Sequence, residues 1–242
     1  MRTAKTVLTV IQERGKQKKP IERVYKLLFN RELYLNAYAK LYPNNGAMTK
    51  GVTDETVDGM SIQKIDRMIE ILREEKYQWK PARREYIKKK NGKKRPLGIP
   101  VWGDKVLQEV MRQILEAYYE PQFSEHSHGF RPNRGCHTAL QEIQVWKGTR
   151  WFIEGDISQY FDTIDHKILL EILARNIHDG RFIRLVSNML EAGYLEEWKF
   201  NQTISGVPQG GVISPILANI YLNEFDNWIE EVLIPKYTKD RK

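Results

Sequence analysis

Asn91-Gly92 stands between two runs that read as strands, Arg84-Glu85-Tyr86-Ile87-Lys88 and Arg95-Pro96-Leu97-Gly98-Ile99-Pro100. Asn-Gly tolerates the left-handed backbone of a tight turn, so this dipeptide is the strongest short hairpin signal a chain can carry. The arms are unusually cationic. From Lys76 to Arg95, ten basic residues (Lys76, Lys80, Arg83, Arg84, Lys88, Lys89, Lys90, Lys93, Lys94 and Arg95) are opposed only by Glu85. Lysine and arginine are rarely buried, so the hairpin is expected to project into solvent or onto a ligand. A second basic zone holds Arg14, Lys16, Lys18, Lys19 and Arg23, and the whole chain of 242 residues carries a formal charge of +8. Two cationic zones near Tyr77, Trp79 and Tyr86 point to a polyanionic partner, because phosphate attraction grows with each added cation.

Apolar spacing at Val24, Leu27, Leu28, Leu35 and Tyr38 predicts one helix over 21–41, ended by Pro43-Asn44-Asn45-Gly46. Ser61 is placed to cap a second helix to about Glu75, with Ile62, Ile65, Ile69 and Leu72 inward. Asp104 opens a helix to Tyr119, and Asn133 or Arg134 opens another to about Lys147. Trp151-Phe152-Ile153 leads into Gly155-Asp156-Ile157 and reads as a buried strand ending in a carboxylate. Helices follow over 165–174 and 179–190, then a strand over 197–203, a glycine-rich loop over 206–211 and a long helix from Ser214. Irregular alternation of strands and helices favours an α+β class over a doubly wound sheet. No run approaches the ~18 apolar residues of a membrane span, and the N-terminus lacks a secretory cleavage pattern. The single cysteine, Cys136, excludes an internal disulfide framework and reads as a buried or partly buried thiol. His126, His128 and His137 do not fall at zinc-ligand spacing.

The residues with most chemistry are Trp151-Phe152-Ile153-Glu154-Gly155-Asp156-Ile157-Ser158-Gln159-Tyr160-Phe161-Asp162. A carboxylate just past an apolar strand is held rigidly at a cleft, which suits a hard divalent cation. Asp162 and Asp165 are weaker candidates, since Asp162 should point away from Asp156 and Asp165 reads as a helix cap. Gly206-Val207-Pro208-Gln209-Gly210-Gly211-Val212-Ile213-Ser214-Pro215 resembles the Pro-Gln-Gly motif of group II intron reverse transcriptases (maturases) almost letter for letter. Ser127-His128-Gly129-Phe130-Arg131-Pro132 resembles their Gly-Phe-Arg-Pro segment, and Arg95-Pro96-Leu97-Gly98-Ile99-Pro100 their first fingers motif. His178-Asp179-Gly180 through Ala192-Gly193-Tyr194-Leu195 also fits this family, so that the likeness runs in order over about residues 35 to 235. Lys88 and Lys90 stand where the family often has prolines. A retron-type or diversity-generating reverse transcriptase, or a purely RNA-binding splicing cofactor, is the alternative, and the first two fit the wording of 206–222 less well.

The resemblance implies a right-hand polymerase fold. The N-terminal extension and fingers would occupy 1–150 and an incomplete palm with a small antiparallel sheet 151–242. It implies RNA-directed DNA synthesis by two-metal nucleotidyl transfer, with Asp156 and the carbonyl of Ile157 as magnesium ligands. Lys89 and Arg95 would grip the incoming deoxynucleoside triphosphate, Phe161 would exclude a 2′-hydroxyl, and Gln209 and Gly210 would lie against the nascent pair. Partners would be group II intron RNA and an RNA template with DNA primer, in a cytoplasmic, bacterial-type ribonucleoprotein. Candidate RNA contacts are Lys16, Lys18, Lys19, Arg23, Arg83, Arg84, Lys88, Lys93, Lys94 and Arg131. The family's Tyr-x-Asp-Asp hairpin is expected after the Pro-Gln-Gly helix, and no adjacent Asp pair occurs in these residues. They are therefore expected to be catalytically incomplete as they stand, with an unfinished sheet edge that favours self-association.

Overall fold

A computed structural model describes residues 2–88, 92, 94–197, 199–203, 205–207 and 210–238. Helix α1 (Ala4–Lys16) is capped by Thr3, whose side chain accepts from the Thr6 amide. The short apolar run after the N-terminus is thus part of a full helix. It crosses α4 (Trp102–Tyr119) so closely that a Cβ on Gly15 would fall 2.1 Å from the Tyr118 carbonyl oxygen.

The single helix expected over 21–41 is divided. Strand β1 (Ile21–Glu22) is followed by a 3₁₀ segment, Val24–Phe29, and then α2 (Arg31–Leu41). Asn30 makes the break: its backbone is extended and its side chain accepts from the Glu32 amide, the competition with helix that makes asparagine a cap. The 3₁₀ segment is held from far along the chain by Asp179, whose carboxylate accepts from the Tyr25 amide at 2.9 Å. Ser61 caps α3 (Ile62–Arg73) as expected, with Ile65, Ile69 and Leu72 buried, but Ile62 faces solvent.

The cationic hairpin forms. Strands β2 (Ala82–Lys88) and β3 (Lys94–Ile99) are antiparallel, in register from Arg83 opposite Ile99 to Lys88 opposite Lys94. After α5 (Cys136–Gln144) come the single turn α6 (Tyr160–Thr163) and α7 (His166–Asn176). Strand β4 (Ile177–His178) pairs parallel with β1 and leads into α8 (Gly180–Glu191). The strand expected over 197–203 is instead a hairpin of β5 (Tyr194–Glu196) and β6 (Lys199–Asn201). Glu197, at φ 49°, reverses the chain. The sheet order is β3-β2-β5-β6, and β5 runs parallel to β2, so the sheet is mixed rather than a small antiparallel one. Helix α9 (Ser214–Trp228) continues through a π-helical turn into α10 (Ile234–Thr238).

The segment 151–157 is no strand. Trp151 is 86% and Ile153 93% exposed, and no described residue forms a ladder with them. An apolar strand is buried only when neighbouring strands and a covering layer complete it, and the described residues supply neither. Cys136 is exposed at the start of α5 rather than buried. No helix among the described residues is long and apolar enough to cross a membrane.

One hydrophobic core runs from Ala4 to Ile220, with α4 at its centre. Although buried, α4 carries Asp104, Lys105, Gln108 and Glu109 inside. Each is paired. Asp104 accepts from the Tyr77 hydroxyl (2.7 Å) and the Lys80 amide (3.0 Å). Lys105 donates to the carbonyls of Gly46 and Thr49. Glu109 accepts two bonds from Arg112 and faces Lys40. Gln108 accepts from the Val212 amide at 2.9 Å.

Burial pushes the Asp104 carboxyl up from 3.8 to about 6, against the opposing pull of Tyr77 and the Lys80 amide. The folded chain therefore binds more protons than the unfolded chain between those values. Asp104's contribution to stability is full below the ordinary carboxylate range and is lost as pH rises through about 6. Asp104→Asn removes this titration. Comparing urea unfolding of the two chains, the wild type should gain on the order of 2–3 kcal/mol over the variant on moving from about pH 7 to about pH 4.

Candidate nucleotide site and nucleic-acid surface

Phe161 sits on the single turn α6, which is too short to be stable alone. Its neighbours hold it. The Tyr160 hydroxyl donates to the Ala218 carbonyl of α9 at 2.7 Å. The Val207 amide donates to the Phe161 carbonyl (2.7 Å) and the Gly206 amide to the Ile164 carbonyl (2.8 Å). His166 Nε2 lies 2.6 Å from the Gly206 carbonyl. The half-buried Phe161 ring meets Phe130 edge-on, with centroids 6.1 Å apart.

Two glycines let the following loop fit between its neighbours. Gly206 has φ 87°, and a Cβ there would lie 2.8 Å from both the Phe161 oxygen and the Asp162 Cα. Gly210 has φ 103°, and a Cβ there would lie 2.7 Å from the Gly98 oxygen and from Leu97 Cδ1. Both conformations favour glycine, and neither gap has room for a side chain. The loop therefore bridges α6 at one end and β3 at the other, and Gln108 of α4 ties its exit. Gln209, Lys89 and Lys93 lie outside the described residues. Arg95 is exposed, and strand alternation puts it on the same face of β3 as Leu97, against which Gly210 rests.

Asp156 and Ile157 lie in the extended segment and are exposed. Among the described residues no three His, Cys, Asp or Glu are grouped to hold a metal ion. The resemblance noted in the sequence implies magnesium ions at Asp156. A hard dication takes several oxygen ligands, so one carboxylate does not make a two-ion centre, and the described residues alone do not fit such a pair.

The basic candidates differ in availability. Lys18, Lys19 and Arg23 are exposed, and Lys16 pairs with Glu13. Lys88 and Lys94 are exposed at the far end of the hairpin. Arg83 donates to the Lys50 carbonyl and pairs with Glu85. Arg84 lies over the Tyr194 ring. Arg131 is the exception: only 7% exposed, it donates to the Glu120 carboxylate and to the carbonyls of Ser124 and Ser127. Its guanidinium is turned inward, where it braces the 120–131 loop.

Sequence reasoning overlooked Gln108, Tyr160, His166 and Phe130 as positioning residues. Gln108 carried a signal, a polar group amid the apolar periodicity of its helix, while Phe130 and Tyr160 stand inside the motif segments without their positioning role being marked.

Residues 87–238 match the family model described as reverse transcriptase (RNA-dependent DNA polymerase). The chain belongs to that family. It is 51% identical over 209 residues to the group II intron-encoded protein LtrA of Lactococcus lactis subsp. cremoris, across 86% of this chain and 35% of that protein. It is 47% identical over 237 residues to an uncharacterized 91 kDa protein in the cob intron of Schizosaccharomyces pombe, across 95% and 29%. Protein YkfC of Escherichia coli K12 is 41% identical over 233 residues, across 91% and 61%. The chain thus spans about a third of the length of the first two relatives and less than two thirds of the third. A chain of the partial Cas6-RT-Cas1–Cas2 complex shares the fold, with a TM-score of 0.56 at 20% identity over 86% of this reverse transcriptase chain and 35% of that one.

Gly206→Ala should strain the loop and push it off α6, lowering stability by about 1–3 kcal/mol. Hydrogen exchange reads the mechanism: the Val207 amide should lose more protection than amides of α3.

Proposed function

We propose that the chain is the fingers (1–150) and front palm (151–242) of an RNA-directed DNA polymerase. Its gene would belong to a mobile group II intron, and the protein would also bind intron RNA to assist splicing and retrohoming. One observation carries this reading: the Gly206–Val212 loop is docked on Phe161 at one end and on the basic hairpin's β3 at the other. That docking ties the strand bearing Arg95 and the turn bearing Phe161 to one glycine-rich loop, which supports a deoxynucleoside triphosphate site. In it Lys89 and Arg95 hold the triphosphate, since a point charge and a fork suit phosphate oxygens. Phe161 selects against a 2′-hydroxyl, and Gln209 and Gly210 lie by the nascent pair.

Asp156, with the Ile157 carbonyl, contributes ligands for magnesium, which when bound supplies charge neutralisation at the reacting phosphate. The ion pair needs further carboxylates, because residues 1–242 contain no adjacent Asp pair. Intron RNA and the primed template are gathered by the exposed cations of the N-terminal zone and the hairpin. The bare apolar segment 151–153 supports self-association of residues 1–242 when they are alone. The reading places the protein in a cytoplasmic ribonucleoprotein.

Purified residues 1–242 should bind RNA but make no cDNA on a primed template; robust extension would remove the two-carboxylate argument. In the full-length protein Asp156→Ala should abolish DNA synthesis and spare RNA affinity. Joint Lys16, Lys18 and Lys19→Ala should do the reverse, lowering the slope of log affinity against log salt by about two to three. Polymerisation that survives Asp156→Ala would refute the catalytic assignment.

A further inference from the structure

The mixed sheet has two unlike faces. Alternation puts Arg84, Tyr86 and Lys88 of β2 on one face, opposite Gly98, Pro96 and Lys94 of β3. Tyr194 lies beside Ala82 and opposite Asn201, so it joins that face, as do Glu196 and Lys199. Arg83, Arg95 and Leu97 belong to the reverse, where Gly210 rests.

A cavity of about 330 Å³ opens on the first face, between Arg84, Gly98 and Tyr194 on the sheet and Gln202, Thr203 and Ser205 on the connection leaving it. This volume lies at the low end of small-molecule sites and suits one nucleoside. The Arg84 guanidinium carbon is 3.5 Å from the centroid of Tyr194. Stacking of this kind fixes a guanidinium plane while leaving its edge free to donate. Arg84 makes no ion pair among the described residues; its side chain lies against the Tyr86 hydroxyl, which donates to Glu196, and its Nε is buried without a hydrogen-bond partner. Arg83, Arg112, Arg131 and Arg134 all pair with carboxylates. Asp162 also lines the cavity. An arginine edge is matched by the acceptor edge of a base, such as O6 and N7 of guanine. The cations on this face, Lys88 and Lys94 toward the end of the hairpin and Lys199 across the sheet, are exposed; Lys88 lies four residues, about 13 Å, along β2 from Arg84.

We infer that this cavity is a subsite for one unpaired nucleotide of RNA, with its base seated beside Arg84 and Tyr194 and the phosphates of the continuing strand running toward Lys88, Lys94 and Lys199. Splayed bases read by arginine and aromatic planes are a common mode of single-strand recognition. Gly206 and Val207, the end of the glycine-rich loop that docks on Phe161, also line the cavity, so the subsite adjoins the candidate nucleotide site, on the sheet face opposite Arg95. It rests on the reading of RNA as the partner.

The test uses the 242-residue chain, a fluorescent single-stranded 12-mer RNA and a duplex of the same length. Arg84→Met, which keeps the apolar stem, should weaken single-strand binding by about tenfold. Duplex affinity and the salt slope should stay unchanged, because the lost contact is to a base and not to a phosphate. In the wild-type chain, 5-iodouridine at the centre of the 12-mer should crosslink to the peptide carrying Tyr194, a readout that does not depend on how the variant folds. A free mononucleotide should compete only at much higher concentration than the 12-mer. Equal losses of single-strand and duplex binding, or crosslinks confined to other peptides, would overturn the site. Displacement of the RNA by polyglutamate from wild type but not from Arg84→Met would also overturn it, by showing a dock for acidic protein. If the wild-type chain binds no RNA, the partner reading itself fails. If wild type binds and Arg84→Met binds equally well, only the subsite fails.

Discussion

Helix α4 is buried along most of its length, yet four polar side chains from its first half lie inside with it. A buried polar or charged group left unpaired costs on the order of 1–3 kcal/mol or more, so each must find a partner where the fold provides one. Those partners are loops. Lys105 collects the 46–49 loop, Asp104 the approach to β2, and Gln108 the exit of the glycine-rich loop. The helix at the centre of the core thereby sets the position of three surface segments around the candidate site. The core and the site are coupled through hydrogen bonds as well as packing.

From that anchor the geometry spreads outward. Once Gln108 holds Val212, the preceding loop has a narrow path between α6 and β3, and glycine at 206 and 210 is what lets the backbone take it. The one-turn helix bearing Phe161 is stable because the loop's amides and the Tyr160 hydroxyl close its free backbone groups. Phe130 then closes over Phe161 from the Gly-Phe-Arg-Pro segment, itself braced by the inward Arg131. Motifs far apart in the chain meet at one place because each satisfies another's backbone.

The cationic surface divides along the same physical line. Arginines near carboxylates or carbonyls serve the fold: Arg131 braces a loop, and Arg112 neutralises Glu109 within the core. Lys88 and Lys94 of the hairpin and Lys18 and Lys19 of the N-terminal zone have no such buried duty, and they stay in water where phosphate can reach them. In the reverse transcriptase family, to which the chain belongs, that division separates the scaffold from the surface offered to nucleic acid.

The hairpin, the caps at Ser61 and Asp165, and the motifs that mark the family were all legible from residue order, because turns, caps and close backbone approaches depend on a few adjacent residues. The break at Asn30 and the hairpin at Glu197 were not, since they depend on Asp179 and on β2, both distant in sequence. Residues 151–157 have the composition of a buried strand but lie exposed, because burial needs neighbouring strands that local sequence cannot provide. Arg131 and Arg84 look alike in a list of basic residues, and only tertiary packing turns one inward to Glu120 and stacks the other on Tyr194. Local chemistry determined the elements and the family; the pairing of buried polar groups across the fold decided which side chains remain available to a ligand.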